Sequence, residues 1–443
     1  MASPARVIAA EVLTRVERDG AYASVSLDAA FAAAPQMDPR DTALASELVL
    51  GTLRRKLALD AALESAADRR MSEIEPLLQP LLRLGAYQLL YLDRVPAHAA
   101  VFETVELCKE RGFGRAAGLC NAALRRLSRD PKVPLPSEPL QRLSVEESHP
   151  LWLVRRWVER LGLEQTAALC RANNQPAPLN LRVNARRGTR DTRLSELRAA
   201  RPEASIAAGQ FAPTAISLTG VGPVTRLPGF AEGGFQVQDE AAQLVGLLVA
   251  PTPGSPTLDV CAAPGGKSCH LAEQGAEVLA LDVSPQKLKR VAAEATRLGL
   301  AIRCITADAQ KLLPVPARSQ RFVMVDAPCS GLGTLRRHPE LRYRRQPEDL
   351  PRLVELQRSI LAQAAKTVAP GGVLVFAVCS SEAEEGLAQR AAFLATESGW
   401  HAEASEALGA PVAGGPWSAD GGLETWPHRQ AIDGFTAFRL RRS

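Results

Sequence analysis

The sequence predicts an all-helical amino-terminal domain joined to an open α/β domain of the doubly wound type. Ala- and Leu-rich patterns such as Ala43–Arg55 and Pro76–Leu92 are helical and show few of the alternations typical of strands. Three prolines within Pro131–Pro136 exclude a helix and predict a stiff linker. In the carboxyl-terminal half, short apolar runs that end in acidic residues alternate with helical patterns, which indicates strands of an α/β sheet.

These patterns divide the chain into four segments. Residues 1–130 are predicted as the helical domain, 131–139 as the Pro-rich linker, 140–240 as a small α+β leader subdomain and 241–443 as the α/β domain. The strand-like segment Leu179–Asn184 and the segment Phe235–Glu240, which leads into a helix, predict the mixed character of the leader. At about 150 residues per folding unit, a chain of 443 residues agrees with several domains.

Composition narrows the class of protein. A hydrophobic content of 46% is that of a globular chain, and no apolar stretch reaches the roughly twenty residues that a membrane span requires. Eight cysteines without the framework of a small disulfide-rich domain predict a reducing compartment, the cytoplasm. A net charge of +5 is too modest to establish a nucleic-acid partner by itself. The Gly- and Pro-rich stretch Gly409–Gly422 predicts a surface loop.

A glycine-containing turn, Asp259–Lys267, lies between a short apolar run and a helix predicted to start near Ser268. Gly265 and Gly266 can adopt positive φ and carry no side chain that would block a ligand. The N–H groups at the start of the helix then face that ligand. Because any α/β protein needs tight strand-to-helix connections, the turn alone does not distinguish a binding site from a structural connection.

Acidic residues mark the ends of three predicted strands after this turn: Asp282, Asp308 and Asp326. Ligands bind at the carboxyl edge of open α/β sheets, and an acid about twenty residues beyond the glycine turn is placed to accept hydrogen bonds from a ribose. The turn lacks the glycine order of dinucleotide sites and the lysine motif of triphosphate sites. The pattern therefore favours a nucleoside cofactor without phosphates, such as S-adenosylmethionine.

Two cysteines end neighbouring predicted strands. Cys329 lies in Asp326–Gly331, and Cys379 directly follows the strand Val373–Val378. For Cys108, Cys120, Cys170 and Cys304 we expect the commoner role of a small buried apolar side chain. Cys261 and Cys269 lack the second pair of ligands that a four-cysteine zinc site needs, so no metal is expected.

With these motifs the chain resembles the RNA cytosine-C5 methyltransferases, and among them the bacterial 16S rRNA methyltransferases of the RsmB/Sun/Fmu type, over nearly its whole length. Thr425–His428 and Asp433–Phe435 look like the family's carboxy-terminal strand signature. The resemblance implies a Rossmann-like, class I S-adenosylmethionine methyltransferase domain and a NusB-like helical domain. It also implies a monomer that methylates cytosine 967 of 16S rRNA, unassembled or partly assembled.

The resemblance also assigns roles to site residues. The turn implied to hold the methionine part of S-adenosylmethionine consists of Cys261, Ala262, Ala263, Pro264, Gly265, Gly266 and Lys267. Asp282 is implied to bind the ribose and Asp308 the adenine. Asp326 is implied to line the active centre as a catalytic and cofactor-binding residue and is expected to hydrogen-bond the N3/N4 edge of the cytosine. Cys379 is implied to be the attacking thiolate, and Cys329 to assist product release.

Two features of the sequence bear on the roles of the cysteines and on the family pattern. DNA cytosine methyltransferases use the cysteine of a Pro-Cys pair as nucleophile, so Pro328-Cys329 alone leaves the roles open, and the second cysteine favours the RNA class. The chain departs from the family pattern at Val378, where Thr is common, and at Gly386, where Asn is usual. Neither departure removes a reacting group.

Basic residues near the predicted site are candidates for RNA contact. The run Leu335–Arg345 lies between the two cysteine strands and has an aromatic residue among its arginines, which pair with phosphates or stack on bases. A solvated charged loop is the alternative, but the proximity of Cys329 favours RNA. The candidate contacts are Arg182, Arg336, Arg337, Arg342 and Tyr343.

Three other functions remain to be compared with rRNA methylation. A tRNA cytosine-C5 methyltransferase would use the same chemistry. A noncatalytic rRNA-binding assembly factor would keep the fold alone, but the retention of both cysteines and all three acids argues against it. A nicotinamide dehydrogenase is disfavoured by the glycine pattern.

Overall fold

The computed structural model describes residues 3–403, 415–417 and 422–443. Much of the stretch predicted as a surface loop, Gly409–Gly422, therefore lies outside the described residues. The chain divides into two compact units: Met1–Pro176 with Leu335–Arg345, and Ala177–Thr334 with Gln346–Ser443.

The helices and strands are as follows. Between residues 3 and 176 the helices are α1 (Pro4–Asp19), α2 (Ala23–Ala33), α3 (Pro39–Arg54), α4 (Lys56–Ala67), α5 (Gln79–Tyr91), α6 (Ala97–Glu110), α7 (Ala117–Arg129), α8 (Pro139–Glu146), α9 (Leu151–Leu161) and α10 (Leu163–Asn173). From there to the middle of the chain follow β1 (Leu179–Val183), α11 (Arg190–Ala200), β2 (Ser205–Ala208), β3 (Ala215–Thr219), β4 (Phe235–Val237) and α12 (Glu240–Val249). The remaining elements are β5 (Pro256–Val260), α13 (Gly266–Glu273), β6 (Glu277–Asp282), α14 (Pro285–Leu298), β7 (Ile302–Thr306), β8 (Gln320–Asp326), α15 (Leu341–Arg344), α16 (Asp349–Thr367), β9 (Val368–Val378), α17 (Leu387–Thr396), β10 (Trp400–Ala402), β11 (Leu423–Glu424), α18 (Pro427–Gln430) and β12 (Thr436–Arg442).

The first unit is helical, as the sequence predicts. Its apolar core contains Leu13, Leu48, Leu63 and Leu124, which are almost wholly buried and come from α1, α3, α4 and α7. Helix α3 begins where Asp38 accepts a hydrogen bond from Arg40 N, so the cap satisfies an N–H group that the helix itself cannot. The prolines of the predicted linker lie in a non-helical stretch between α7 and α8.

Helices α8 to α10 belong to this helical unit, whereas the sequence placed residues from 140 onward in the leader. The loop after α8 binds the start of α4: Ser148 Oγ accepts a hydrogen bond from Ala58 N at 3.0 Å. Glu147 lies 3.3 Å from Arg55 Nη1 in an ion pair. These contacts join residues about ninety positions apart, and no local pattern in the sequence signals them.

The basic run Leu335–Arg345 is also part of the helical unit. Arg342 is fully buried, and its Nη1 donates to Asn174 Oδ1 at 2.8 Å and to Ser148 O at 3.2 Å. The Tyr343 hydroxyl donates to the same carbonyl at 2.9 Å. The prediction that Arg342 contacts RNA is therefore wrong, because its guanidinium group is enclosed by protein acceptors.

The second unit contains a four-stranded antiparallel sheet of order β2-β3-β1-β4, with α11 packed beside it. Arg182 on its central strand β1 is fully buried and forms an ion pair with Glu273 of α13, at 2.8 Å. Its Nη1 also donates to Gly266 O at 2.8 Å, at the start of α13. Arg182 thus fixes the leader sheet to the glycine turn, and the prediction that it contacts RNA is wrong.

The larger sheet has the order β10-β12-β9-β8-β5-β6-β7, with β11 paired to β12, in the described residues. Strands β5 to β9 pair in parallel, and β12 is antiparallel to β9. Side chains such as Val323 and Met324 point to opposite faces, each of which is covered by an apolar cluster that includes helical residues. The chain moves outward from β5 to β7 and then returns to β8 beside β5, which creates a switch point at the carboxyl edge.

Candidate active site at the carboxyl edge of the sheet

The glycine turn follows β5 at this switch point. Gly265 has a φ of 104°, a left-handed conformation that favours glycine, and it caps the N-terminus of α13. A Cβ on Gly265 would lie 3.1 Å from Val291 Cα, so the close approach of the turn to α14 also excludes a side chain. The helix starts at Gly266, two residues before the predicted position.

The acids predicted at the strand ends are at the same edge. Asp282 is 7% exposed and ends β6, where its Oδ2 accepts from Ala263 N at 3.2 Å and its Oδ1 from Ser284 N at 2.9 Å. Its carboxylate is therefore held against the glycine turn. Asp308 follows β7 and is half-buried, with Oδ1 accepting from Gln310 N at 3.0 Å. Both side chains are oriented by backbone N–H groups.

A further acid, Asp259 on β5, lies under the turn. It is fully buried, and Ser268 Oγ donates to its Oδ2. Burial raises the pKa of Asp259 to about 7, and the neighbouring Asp326 and Asp282 act in the same direction, whereas Ser268 and Lys267 oppose them. The protonated form of Asp259 is therefore well populated near neutral pH. Asp259 is not among the site residues predicted from the sequence.

Asp326, at the end of β8, forms an ion pair with Lys267 of the glycine turn. Lys267 Nζ lies 2.7 Å from Asp326 Oδ2 and 5.1 Å from the ring centroid of Phe435. Burial lowers the pKa of Lys267, but the Asp326 carboxylate raises it more, and the net pKa is above its ordinary value. Lys267 is therefore a cation that faces Asp326, a contact that the sequence analysis did not predict.

The two cysteines with predicted chemical roles meet beside this pair. Cys329 Sγ and Cys379 Sγ are 3.3 Å apart. The hydrogen bond with Cys379, together with burial and the charge of Cys379, raises the pKa of the Cys329 thiol well above its ordinary value. Cys329 is therefore a thiol that can donate to the sulfur of Cys379.

The loops that carry these thiols share one buried carboxylate, that of Glu385. It accepts hydrogen bonds from Ser330, which follows Cys329, and from Ser380, which follows Cys379. Glu385 is not among the site residues predicted from the sequence. Its location is evident only when the chain is folded.

The other cysteines lie away from this pair. Cys108, Cys120 and Cys170 are buried, as predicted. Cys304 is exposed on β7, so the prediction that it is buried is wrong; β7 is the edge strand of the sheet, and its residues are partly open.

Of the candidate RNA contacts in the basic run, Arg336 is 7% exposed and receives a hydrogen bond at its carbonyl from Arg54 Nη2. Tyr343 is half-buried, with Lys56 Nζ 5.3 Å from its ring centroid. Arg337 is half-buried as well. Most of the polar groups in this run thus serve the packing of the helical unit.

No group of three or more His, Cys, Asp or Glu side chains in residues 3–403, 415–417 and 422–443 is arranged to hold a metal ion. In the same ranges, no helix has the length and apolarity needed to cross a bilayer.

Comparison with known proteins agrees with this arrangement. Residues 246–441 match the family model of 16S rRNA methyltransferase RsmB/F, residues 3–129 match the NusB family, and residues 149–225 match the ferredoxin-like domain of RsmF/B-like methyltransferases. The ferredoxin-like match begins before the unit boundary seen in the structure, which lies after Pro176.

Curated relatives match over nearly the full length. The probable ribosomal RNA small subunit methyltransferase B of Bacillus subtilis is 35% identical over 99% of this chain and 98% of the relative. The ribosomal RNA small subunit methyltransferase B of Pseudomonas syringae pv. tomato is 38% identical over 89% of this chain and 87% of the relative's chain. Among solved structures, PH0851 has the same fold, with a TM-score of 0.86, 23% identity and complete coverage of both chains. This similarity over nearly the whole length shows that the chain belongs to the 16S rRNA methyltransferase RsmB/F family.

Proposed function

We propose that this protein transfers a methyl group from S-adenosylmethionine to C5 of a cytosine in 16S rRNA through a transient bond between Cys379 and C6. The observation that carries the proposal is the contact of Cys329 Sγ and Cys379 Sγ, at 3.3 Å, beside the ion pair of Lys267 and Asp326. C5 of cytosine is a poor nucleophile, and a thiolate that adds at C6 loads electron density onto C5. Two thiols at one strand edge fit a reaction that must both form and break this bond.

The residues around the glycine turn fit the cofactor. Gly265 and Gly266 leave the turn open, and a Cβ on Gly266 would meet Gln238 Nε2 at 3.5 Å, a buried amide nitrogen without a hydrogen-bond partner among the described residues. Asp282 and Asp308 present carboxylates for the ribose and the adenine. When bound, S-adenosylmethionine supplies the electrophilic methyl group.

Cys379 is the better nucleophile of the two thiols. The raised pKa of Cys329 keeps that residue protonated, so its S–H group is a donor to Cys379. The Cys379 sulfur forms a bond to C6, the electron pair of the C5–C6 double bond moves onto C5, and C5 accepts the methyl group. Loss of the C5 proton to a base then restores the double bond and expels the sulfur, with Cys329 assisting this release.

Lys267 and Asp326 are placed to hold the base. The Asp326 carboxylate can accept a hydrogen bond from the amino group or the protonated N3 of cytosine. The ammonium group of Lys267, held 2.7 Å from Asp326, stabilises negative charge that develops in the ring. Both groups are fixed before the substrate arrives, which lowers the cost of stabilising the adduct.

The name of the relatives supports small-subunit rRNA as the substrate, and we propose cytosine 967 as the target. The C5 and C6 atoms of a stacked base are hidden, so the cytosine must lie in a single-stranded region or be flipped out. Naked or partly assembled rRNA in the cytoplasm meets this requirement. One chain holds both thiols and all the acids, in keeping with a monomer. Of the predicted RNA contacts, Arg336, Arg337 and Tyr343 stay proposals.

A transfer assay tests this function. The protein is incubated with S-adenosylmethionine labelled in the methyl group and with unmodified 16S rRNA, tRNA or DNA, and 5-methylcytosine is then mapped. We expect label in 16S rRNA at one cytosine. Label in tRNA alone would keep the chemistry and reject the rRNA substrate, and no label in any nucleic acid would favour a noncatalytic assembly factor.

A further inference from the structure

A buried carboxylate joins the two loops that carry the thiols. Glu385 is fully buried, and its Oε1 accepts from Ser330 N at 2.8 Å and from Gln357 Nε2 at 2.9 Å. Its Oε2 accepts from Ser330 Oγ at 2.5 Å and from Ser380 Oγ at 2.7 Å. Four donors from three elements of the chain therefore converge on one side chain.

The donors are next to the reactive residues in sequence. Ser330 directly follows Cys329 on the loop after β8, and Ser380 directly follows Cys379 on the loop after β9. The two hydroxyl oxygens also lie 3.1 Å apart, which closes the link between the loops. A displacement of Glu385 would thus be transmitted to both sulfur atoms through one covalent neighbour each.

Helix α16 supports the same arrangement from behind. Gln357 Nε2 donates to Glu385 Oε1 and, at 3.0 Å, to the carbonyl of Pro328, which precedes Cys329. Gln357 Oε1 in turn accepts from Gln389 Nε2 of α17 at 3.2 Å. The loop around Cys329 is therefore held on both sides of the cysteine, at Pro328 and at Ser330.

Burying a carboxylate is costly unless donors replace its water. If the side chain at position 385 only filled space, an apolar residue would do so at a lower cost in folding free energy. Here the acceptor oxygens are matched by one backbone N–H, two hydroxyls and an amide, and each of these groups is adjacent to or packed on a thiol loop. The arrangement is that of a clamp between two loops.

We propose that Glu385 is a positioning residue that sets the spacing of Cys329 and Cys379 by holding Ser330 and Ser380. The inference deepens the proposed function and rests on it for its catalytic consequence. Its geometric consequence, the 3.3 Å separation of the two sulfurs, does not depend on any methyl transfer.

The geometric consequence is tested by oxidation with diamide, which takes up the two protons and two electrons that leave the thiols as their S–S bond forms. The sulfurs need to approach from 3.3 Å to a bond length of about 2.05 Å. We expect rapid formation of the Cys329–Cys379 disulfide in the natural protein, measured by mass spectrometry of unreduced peptides. In Glu385→Gln the rate should fall roughly tenfold, because misplacement of reacting atoms by about 1 Å lowers rates strongly.

Glu384→Gln is the matched control, since it makes the same chemical change one position earlier on an exposed side chain. It should oxidise at the rate of the natural protein. Equal rates in Glu385→Gln and Glu384→Gln would overturn the proposal. If Glu385→Gln does not fold, as judged by its melting curve, the variant that combines Ser330→Ala with Ser380→Ala takes its place and should show the same slowing.

The catalytic consequence is tested in the transfer assay. Glu385→Gln should lower kcat by roughly 10- to 100-fold while KM for RNA and the Kd for S-adenosylmethionine stay within about twofold. A change in KM with kcat unaffected, or a kcat equal to that of Glu384→Gln, would contradict the proposal. If the natural protein transfers no methyl group but the disulfide rates still differ, the proposed function fails and the positioning role stands.

Discussion

Cys329 Sγ and Cys379 Sγ lie 3.3 Å apart although fifty residues separate them in the chain. They meet because β8 and β9 are parallel neighbours, with Asp326 paired to Ala377 at their carboxyl ends. The loops that leave these strands therefore begin side by side. This proximity allows one sulfur to add to a base while the other donates a proton or assists release.

Removal of the nucleophile gives the first prediction. Cys379→Ser should reduce methyl transfer by ~1,000-fold or more, because a hydroxyl does not replace a thiolate in addition to C6. The Kd for S-adenosylmethionine, measured by calorimetry, should not change. Turnover near the natural rate would show that the nucleophile is misassigned.

The second thiol has a different signature. Cys329→Ser should still add to the base but should fail to release it, so an enzyme–RNA adduct should accumulate and survive denaturation. Gel electrophoresis under denaturing conditions detects such an adduct. The natural protein provides the comparison, and the absence of an adduct in the variant would contradict the role of Cys329 in release.

Asp282 tests the cofactor site. Asp282→Ala should weaken the binding of S-adenosylmethionine by about 1.5–3 kcal/mol, the range for hydrogen bonds to a charged group, which is roughly a tenfold to 150-fold rise in Kd. The control is Glu277→Ala, which removes an exposed carboxylate from the opposite end of the same strand. Equal affinities in both variants would remove Asp282 from the site.

Asp259 predicts a dependence of stability on pH. Its pKa is about 7 in the folded protein against an ordinary value of 3.8, so the folded state favours the protonated form. The protonated carboxyl group therefore contributes fully to the free energy of unfolding below its ordinary pKa. This contribution, roughly 4 kcal/mol, is lost as the pH rises through about 7. The melting temperature should therefore fall between pH 4 and pH 8 more steeply in the natural protein than in Asp259→Asn. Parallel curves would refute this.

The buried ion pair of Arg182 and Glu273 predicts a structural role. Arg182→Ala leaves Glu273 buried without its partner, which typically costs about 3–5 kcal/mol. The unfolding midpoint in urea should fall clearly, whereas Arg186→Ala, an exposed arginine on the same segment, should leave it nearly unchanged. If both variants lose RNA affinity and neither loses stability, Arg182 acts as an RNA contact after all.

Much of the candidate site at the carboxyl edge of the sheet can be predicted from the sequence, because the ends of strands are recognisable from local patterns. Asp282, Asp326 and Cys379 each end or follow an apolar run, and parallel strands bring their carboxyl ends to one edge. Gly265 could be predicted from its conformational freedom. The pattern of turn and acids favours a nucleoside cofactor without phosphates, whereas the reaction is implied only by the family resemblance, since acids at strand ends do not specify the chemistry that follows binding.

What the sequence could not show depends on partners far away in the chain. From the sequence, Arg342 is predicted to be a cation on the surface. In the structure it is buried, and its hydrogen-bond acceptors on Ser148 and Asn174 lie more than 160 residues earlier in the chain. Arg182 is paired with a residue 91 positions later. A charged side chain is predicted to be exposed unless a buried partner is known. Nothing in the sequence near Arg342 or Arg182 indicates their buried partners. The role of Glu385 could not be predicted for the same reason, because three of its four donor groups, on Ser330 and Gln357, lie on other segments.

RNA in which cytidine is replaced by 5-fluorocytidine should trap the bond between Cys379 and C6. The C5 fluorine is not lost as a cation, so after addition and methyl transfer the bond from sulfur to C6 has no route to break. The protein is incubated with this RNA and S-adenosylmethionine, and the adduct is digested and located by mass spectrometry. We expect a methylated nucleotide on the peptide that contains Cys379. An adduct on the peptide that contains Cys329, or methyl transfer to ordinary RNA with no adduct to the fluorinated one, would contradict it.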